Sequence, residues 1–172
     1  MFQHITAMAS LLCAGVLITL GIAAAPAPIP LAVFDFELED FSAAPASEGV
    51  ASADAAQLAN VTAAVRQLFE QSGRYKLIDV GGVDAPAAKT HTLRDCNGCD
   101  ADIALKLGAE QCLVGVVSRI SRTEYVVKFH VRDARTGDVI ATGDSGLRMG
   151  ADYSCSRGAA RLVKDQLLET HL

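Results

Sequence analysis

The chain has 172 residues, of which 51% are hydrophobic and 20% charged, with no tryptophan and a formal net charge of −5. That length holds one domain with a real core and leaves little room for two. An acidic balance without a basic stripe argues against nucleic acid or an anionic membrane surface as a general partner.

Residues Met1 to Ala25 carry no Lys, Arg, Asp or Glu, and an apolar run from Ala7 closes on Ala23-Ala24-Ala25 ahead of Pro26. A short apolar stretch ending in small residues reads as a secretory signal peptide. Residues 1–25 are therefore expected to be the signal and 26–172 a single mature domain, with no membrane insertion once the signal is cleaved. The competing expectation is an uncleaved anchor holding the domain on the periplasmic side, since the segment before the apolar run has no positive side chain beyond His4. Cys13 follows two leucines rather than a small residue and reads as part of the discarded run, not as a lipid attachment point.

The mature chain then keeps Cys96, Cys99, Cys112 and Cys155. An even count in an exported protein favours disulfides, and three pairings are open. The preferred one joins Cys96 to Cys99, already neighbours, and Cys112 to Cys155, which would tie a strand start to the C-terminal helix. In the chain-entropy model that second bridge would contribute on the order of 4 kcal/mol.

Pro26, Pro28 and Pro30 give a stiff entry to a first strand, LAVFDFELEDF from Leu31, with Phe34, Phe36 and Leu38 on one face and Asp35, Glu37 and Glu39 on the other. Ser42 to Ser52 reads as a loop. A helix capped by Ser52 or Asp54 follows, with Leu58, Val61, Val65, Leu68 and Phe69 at helical spacing and Gly73 as its stop. Tyr75 to Val80 is a second strand, and Val83 to Asp95, containing His91, is polar and irregular. A second helix spans Cys99 to Leu107, with Ile103, Ala104 and Leu107 inward and Gly108 as its stop. Cys112 to Val117 is a third strand buried on both faces. In the fourth strand Tyr125, Val127, Phe129 and Val131 point one way, and Lys128, His130 and Arg132 the other. A hairpin through Gly137 leads to a fifth strand, Val139 to Thr142, and a helix from Tyr153 to Thr170 carries Ala159, Leu162, Val163 and Leu167. The expected fold is α+β, in the order β-α-β-α-β-β-β-α, with helices packed on a mixed sheet.

Chemistry-bearing patterns are sparse. Asp35, Glu37, Glu39 and Asp40 could ligate a cation, but a solvated strand face is the commoner meaning of such a ladder. Zinc on four cysteines calls for two CxxC pairs, and Cys112 and Cys155 stand alone, so neither metal nor cofactor is expected. Neither a phosphate loop nor a dinucleotide fingerprint is present, and Ser145 lies in no nucleophile elbow. Cys96-Asn-Gly-Cys99 at a helix start could lower a thiol's pKa and act in thiol–disulfide exchange. Against that, the last proline is Pro86, upstream of the pair, and no aromatic residue precedes Cys96.

The phrases ALKLGAEQCLVGVV, VRDARTGDVIATG and AVFDFEL resemble the α/β domain at the N-terminus of the TolB translocation protein. Similar domains occur in the curli secretion lipoproteins and in lipoprotein activators of penicillin-binding proteins. With Cys96-Asn-Gly-Cys99 included, the mature chain is similar, over most of residues 31–170, to a family of bacterial secreted proteins with no assigned function. The resemblance implies the fold more than any activity, because its motifs are turn and packing signals. The TolB propeller and a lipobox are missing, so functions that depend on them are not implied. The expected role is a non-enzymatic periplasmic accessory or scaffold that binds envelope proteins. The face offered to a partner would comprise Arg119, Arg122, Lys128, His130 and Arg132. The alternative role is a redox protein working through Cys96 and Cys99.

Overall fold

The computed structural model describes residues 26–42, 48–81, 92–121, 123–146, 148–149 and 152–169. Residues 1–25, His91 and Arg122 lie outside the described residues, as do residues 43–47 of the loop expected after the first strand.

The strands are β1 (Ile29–Val33), β2 (Glu37–Asp40), β3 (Tyr75–Ile78), β4 (Gln111–Arg119), β5 (Glu124–Asp133), β6 (Val139–Asp144) and β7 (Arg148–Met149). The helices are α1 (Glu48–Ser72), α2 (Cys99–Lys106) and α3 (Asp152–Val163), the last running on as a π-helical turn over Lys164–Leu168. They build one mixed sheet in the order β3-β1-β4-β5-β6, with β2 also on β4 and β7 also on β5. β1 is parallel to β3 and β4, and β5 is antiparallel to β4 and β6. This is the α+β arrangement that the periodicities predict, with the first strand divided in two.

Both faces of the sheet are covered. On one, α1 and α3 pack Val61, Val65, Phe69, Ala159 and Val163 onto Leu31, Val33, Leu113, Val127 and Phe129. On the other, α2 sets Ala101, Ile103 and Ala104 against Ala32, Phe34, Cys112 and Val114. β4 is therefore buried on both sides, as its unbroken apolar run requires. α1 begins at Glu48, ahead of both expected caps, so Ser52 and Asp54 are interior helix positions. It ends as expected at Gly73, whose φ of +66° closes the helix.

The division of the first strand corrects its expected facing. Val33 sits opposite Leu113 while Glu37 sits opposite Val116, so one extra residue is accommodated on this strand between the two pairings. Phe34 consequently joins the α2 layer, whereas Phe36 and Leu38 join the α1–α3 layer. The offset is braced from α1. Arg66 donates from Nη2 to the Val33 carbonyl at 2.7 Å and to Asp35 Oδ1 at 3.0 Å. The Phe36 amide donates to Thr62 Oγ1 at 2.9 Å.

Candidate functional site

The Cys96–Cys99 pair is bonded, and the turn between the two is made by Asn97 and Gly98, both at positive φ. Gly98 is the N-cap of α2; its carbonyl accepts from the Ala101 amide, which starts the helix next to Cys99. Both half-buried cysteines pack against the α2-side core. The Leu93–Asp95 turn leading into the pair is anchored by Glu37, whose carboxylate accepts from the Leu93 amide at 2.6 Å and from Arg94 Nη1 at 3.3 Å.

Immediately after Cys99, Asp100 points inward at 1% exposure. Its Oδ2 lies 3.0 Å from His130 Nε2 and 3.3 Å from Arg132 Nε, and accepts from the Cys112 thiol at 3.7 Å. Burial alone would raise the Asp100 carboxyl. The His130 hydrogen bond and charge, with the charge of Arg132, outweigh it and hold the carboxyl below its ordinary value. The same burial, reinforced by the Asp100 charge, pushes the Cys112 thiol up to about 12. Cys112 is therefore an inert thiol at neutral pH. Nothing in the sequence marks Asp100, because a carboxylate in the first turn of α2 carries no sign that the helix packs over His130 and Arg132.

The expected Cys112–Cys155 bridge is not formed, and both residues remain buried as thiols. Cys112 belongs to the α2-side core and Cys155 to the α1–α3 core. The sheet stands between them, so the two thiols do not meet.

The expected cationic face does not assemble as one surface. Arg119 is 7% exposed and belongs to the opposite side of the sheet, where it pairs with Asp40 at 3.0 Å and with Asp54 of α1. His130 and Arg132 are half-buried against Asp100, and Arg132 also donates to the Gly137 carbonyl at 2.9 Å. Lys128 is exposed, and Arg122 lies outside the described residues. The carboxylate ladder is likewise engaged within the chain: Asp35 with Arg66, Glu37 with Arg94, Glu39 with Ser118 and Asp40 with Arg119. Among the described residues, no three His, Cys, Asp or Glu side chains converge as a metal site.

Residues 30–167 match the family DUF3280, described as "Protein of unknown function (DUF2380)". The chain belongs to this family. Among curated protein sequences, none matches. Solved structures show what the DUF3280 fold is similar to. The LpoB C-terminal domain from Escherichia coli matches at 16% identity and a TM-score of 0.50, over 76% of this chain and 90% of that one. The lipoprotein GNA1162 from Neisseria meningitidis matches at 13% identity and 0.51, over 84% and 100%. PelC from Paraburkholderia phytofirmans, solved as a dodecamer, matches at 16% identity and 0.50, over 83% and 91%. At these identities the likeness concerns the fold. It agrees with the architecture expected from the "LGA" helix end and the "TG" hairpin.

Proposed function

We propose that this DUF3280 protein is exported, that residues 26–172 form its mature domain, and that it is a non-enzymatic accessory or scaffold protein of the bacterial cell envelope. It works by binding another protein. The observation that carries this reading is the β6 edge. Among the described residues β6 ends the sheet, and Val139 and Ile140, 46% and 49% exposed, follow one another at its start, with Val139 opposite Arg132 of β5. Natural sheets protect long apolar edges, and an exposed edge of this kind accepts an added strand. The occupant is therefore an extended segment of an envelope protein. A fold shared with a lipoprotein and with a protein that forms a dodecamer supports a role built on association.

A photo-cross-linkable residue at Ile140, compared in living cells with one at exposed Gln67 on α1, tests the reading. A discrete adduct from position 140 that is absent from position 67 and disappears with Val139→Lys is the expected result. No adduct from position 140, or equal adducts from both, would remove β6 from consideration. N-terminal sequencing of the periplasmic protein tests export: a start near Pro26 indicates cleavage, and a retained Met1 indicates an anchor.

The bonded, half-buried Cys96–Cys99 pair at the start of α2 favours one second reading, thiol–disulfide exchange. A reduction potential between about −120 and −270 mV supports it, and one below about −300 mV marks a structural bridge.

A further inference from the structure

Cys96-Asn97-Gly98-Cys99 is a closed turn, its end Cα atoms 5.5 Å apart and its end side chains bonded to each other. Asn97 stands at φ 48° and Gly98 at φ 110° and ψ −1°, the pair of positive φ values that marks a type I′ turn. The Asn97 side chain is exposed and Gly98 is half-buried. Among the described residues, no hydrogen bond holds the Asn97 carboxamide or the Gly98 amide. Gly98 is held through its carbonyl instead, which accepts from the Ala101 and Asp102 amides at 3.1 and 3.4 Å.

In such a turn an asparagine side chain can react with its own backbone. The Gly98 nitrogen attacks Cγ of Asn97, the new N–Cγ bond forms, the Cγ–Nδ2 bond breaks, and ammonia leaves with the amide proton. The succinimide ring that remains takes up water at one of its two carbonyls and opens to aspartate or isoaspartate. The net change replaces the carboxamide nitrogen by an oxygen from water, with no oxidant or other co-reactant. A glycine after the asparagine presents the attacking nitrogen without a side chain in the way. The planar succinimide fits the first central position of a type II′ turn. Types I′ and II′ both keep that residue at positive φ and differ by which way the peptide between the two central residues points. Turning over the Asn97–Gly98 peptide therefore changes the sign of φ at Gly98, which glycine tolerates, and leaves the bridged ends and the Gly98 carbonyl bonds in place.

We propose that Asn97 is a site of spontaneous deamidation in the folded protein, with the Cys96–Cys99 turn as its framework and water as the co-substrate. The product sets a new carboxylate between the two cysteines, and the isoaspartate form also lengthens the backbone of the disulfide ring by one carbon. The chain's other asparagine, Asn60, supplies the contrast. It too is exposed, but it lies inside α1 and precedes buried Val61. There the helix fixes the peptide in its hydrogen-bonded ladder, and a β-branched side chain shields the nitrogen.

The test incubates the processed, disulfide-bonded protein in heavy-oxygen water at mildly alkaline pH and follows positions 97 and 60 by peptide mass spectrometry. Heavy oxygen marks only conversion that takes place during the incubation. Labelled aspartate and isoaspartate are expected to accumulate together at position 97, at least about tenfold faster than at position 60, because only position 97 is followed by an unhindered glycine. A Cβ at Gly98 would meet nothing within 4 Å, so Gly98→Ala adds no clash, yet it disfavours the positive φ and shields the nitrogen. It should slow conversion about tenfold. Asn97→Gln, an exposed change that would need a six-membered ring, should abolish the ammonia released from this turn. The proposal is overturned if position 97 converts no faster than position 60, or if aspartate forms there without isoaspartate. It is equally overturned if Gly98→Ala converts at the wild-type rate, if Asn97→Gln releases as much ammonia, or if the rate tracks the unfolded fraction in urea.

Discussion

The ring of Phe36 occupies the space that a side chain at Gly115 would need: a Cβ built on Gly115 stands 2.3 Å from the ring carbons Cε1 and Cζ. Gly143 stands in the same relation to Phe129, at 2.2 Å from Cε1. In both places the missing side chain lets an aromatic ring lie directly on the sheet, which is why strand glycines sit opposite buried phenylalanines here. Gly115→Ala is expected to destabilise the protein by about 1–3 kcal/mol, the usual range for an overpacked core. Urea denaturation checks this. Phe36→Leu added to Gly115→Ala should recover part of the loss, a coupling a double-mutant cycle measures.

Asp100 makes stability depend on pH in a defined direction. Its folded carboxyl lies below the ordinary value of 3.8, so its contribution is complete above that pH and disappears as acid protonates the folded carboxylate. Asp100→Asn leaves Arg132 and His130 without their anion and should cost about 3 kcal/mol at pH 7, as breaking a buried pair does. The stability gap between wild type and variant should close as the pH falls below 3.8, because a protonated aspartate and an asparagine are then nearly equivalent. A pH series of urea midpoints for the two proteins tests this, and a constant gap would count against it.

Thiol counting separates the two kinds of cysteine. Cys112 and Cys155, 0% and 4% exposed, should resist alkylation in the native protein. Unfolding without reductant should release both to the reagent, and adding reductant should release Cys96 and Cys99 as well. Cys96→Ser with Cys99→Ser should lower stability by no more than about 2 kcal/mol, since the ring they close is short.

Arg119 fastens α1 to the sheet by holding Asp54 of the helix and Asp40 of β2 together. Asp54→Ala is expected to cost about 3 kcal/mol, because it leaves a buried guanidinium with one of its two carboxylates gone. A comparable loss should follow Arg119→Met, and the double variant should fall well short of the sum of the two. Thermal or urea unfolding of the three variants measures it.

Period and turn chemistry made most of this fold legible. The alternation from Tyr125 to Val131 gave the facing of β5, the heptad-like spacing from Leu58 to Phe69 gave the buried face of α1, and Gly73, Gly108 and Gly137 stand at positive φ where elements end or turn. What the sequence hid depends on which residues of different elements meet. Nothing local separates Arg119 from Lys128 as cations, yet one lies beneath α1 and the other faces solvent. Cys112 and Cys155 look equally available for pairing until the sheet is seen to come between them. Asp100 looks like an ordinary first-turn acid, and its burial follows from α2 docking over His130 and Arg132.

The offset between Val33 and Glu37 has a consequence for sequence length. Side-chain direction in a strand has a period of two, and the extra residue is what lets Val33 and Phe36, three apart, face the same core. With exposed Asp35 removed, Phe36 would follow Phe34 in regular alternation and Glu37 would still stand opposite Val116, so the facing of both halves would survive. A frame-preserving loss of the codon for Asp35 would thus straighten the strand and cost the Arg66–Asp35 contact, rather than turn the strand over.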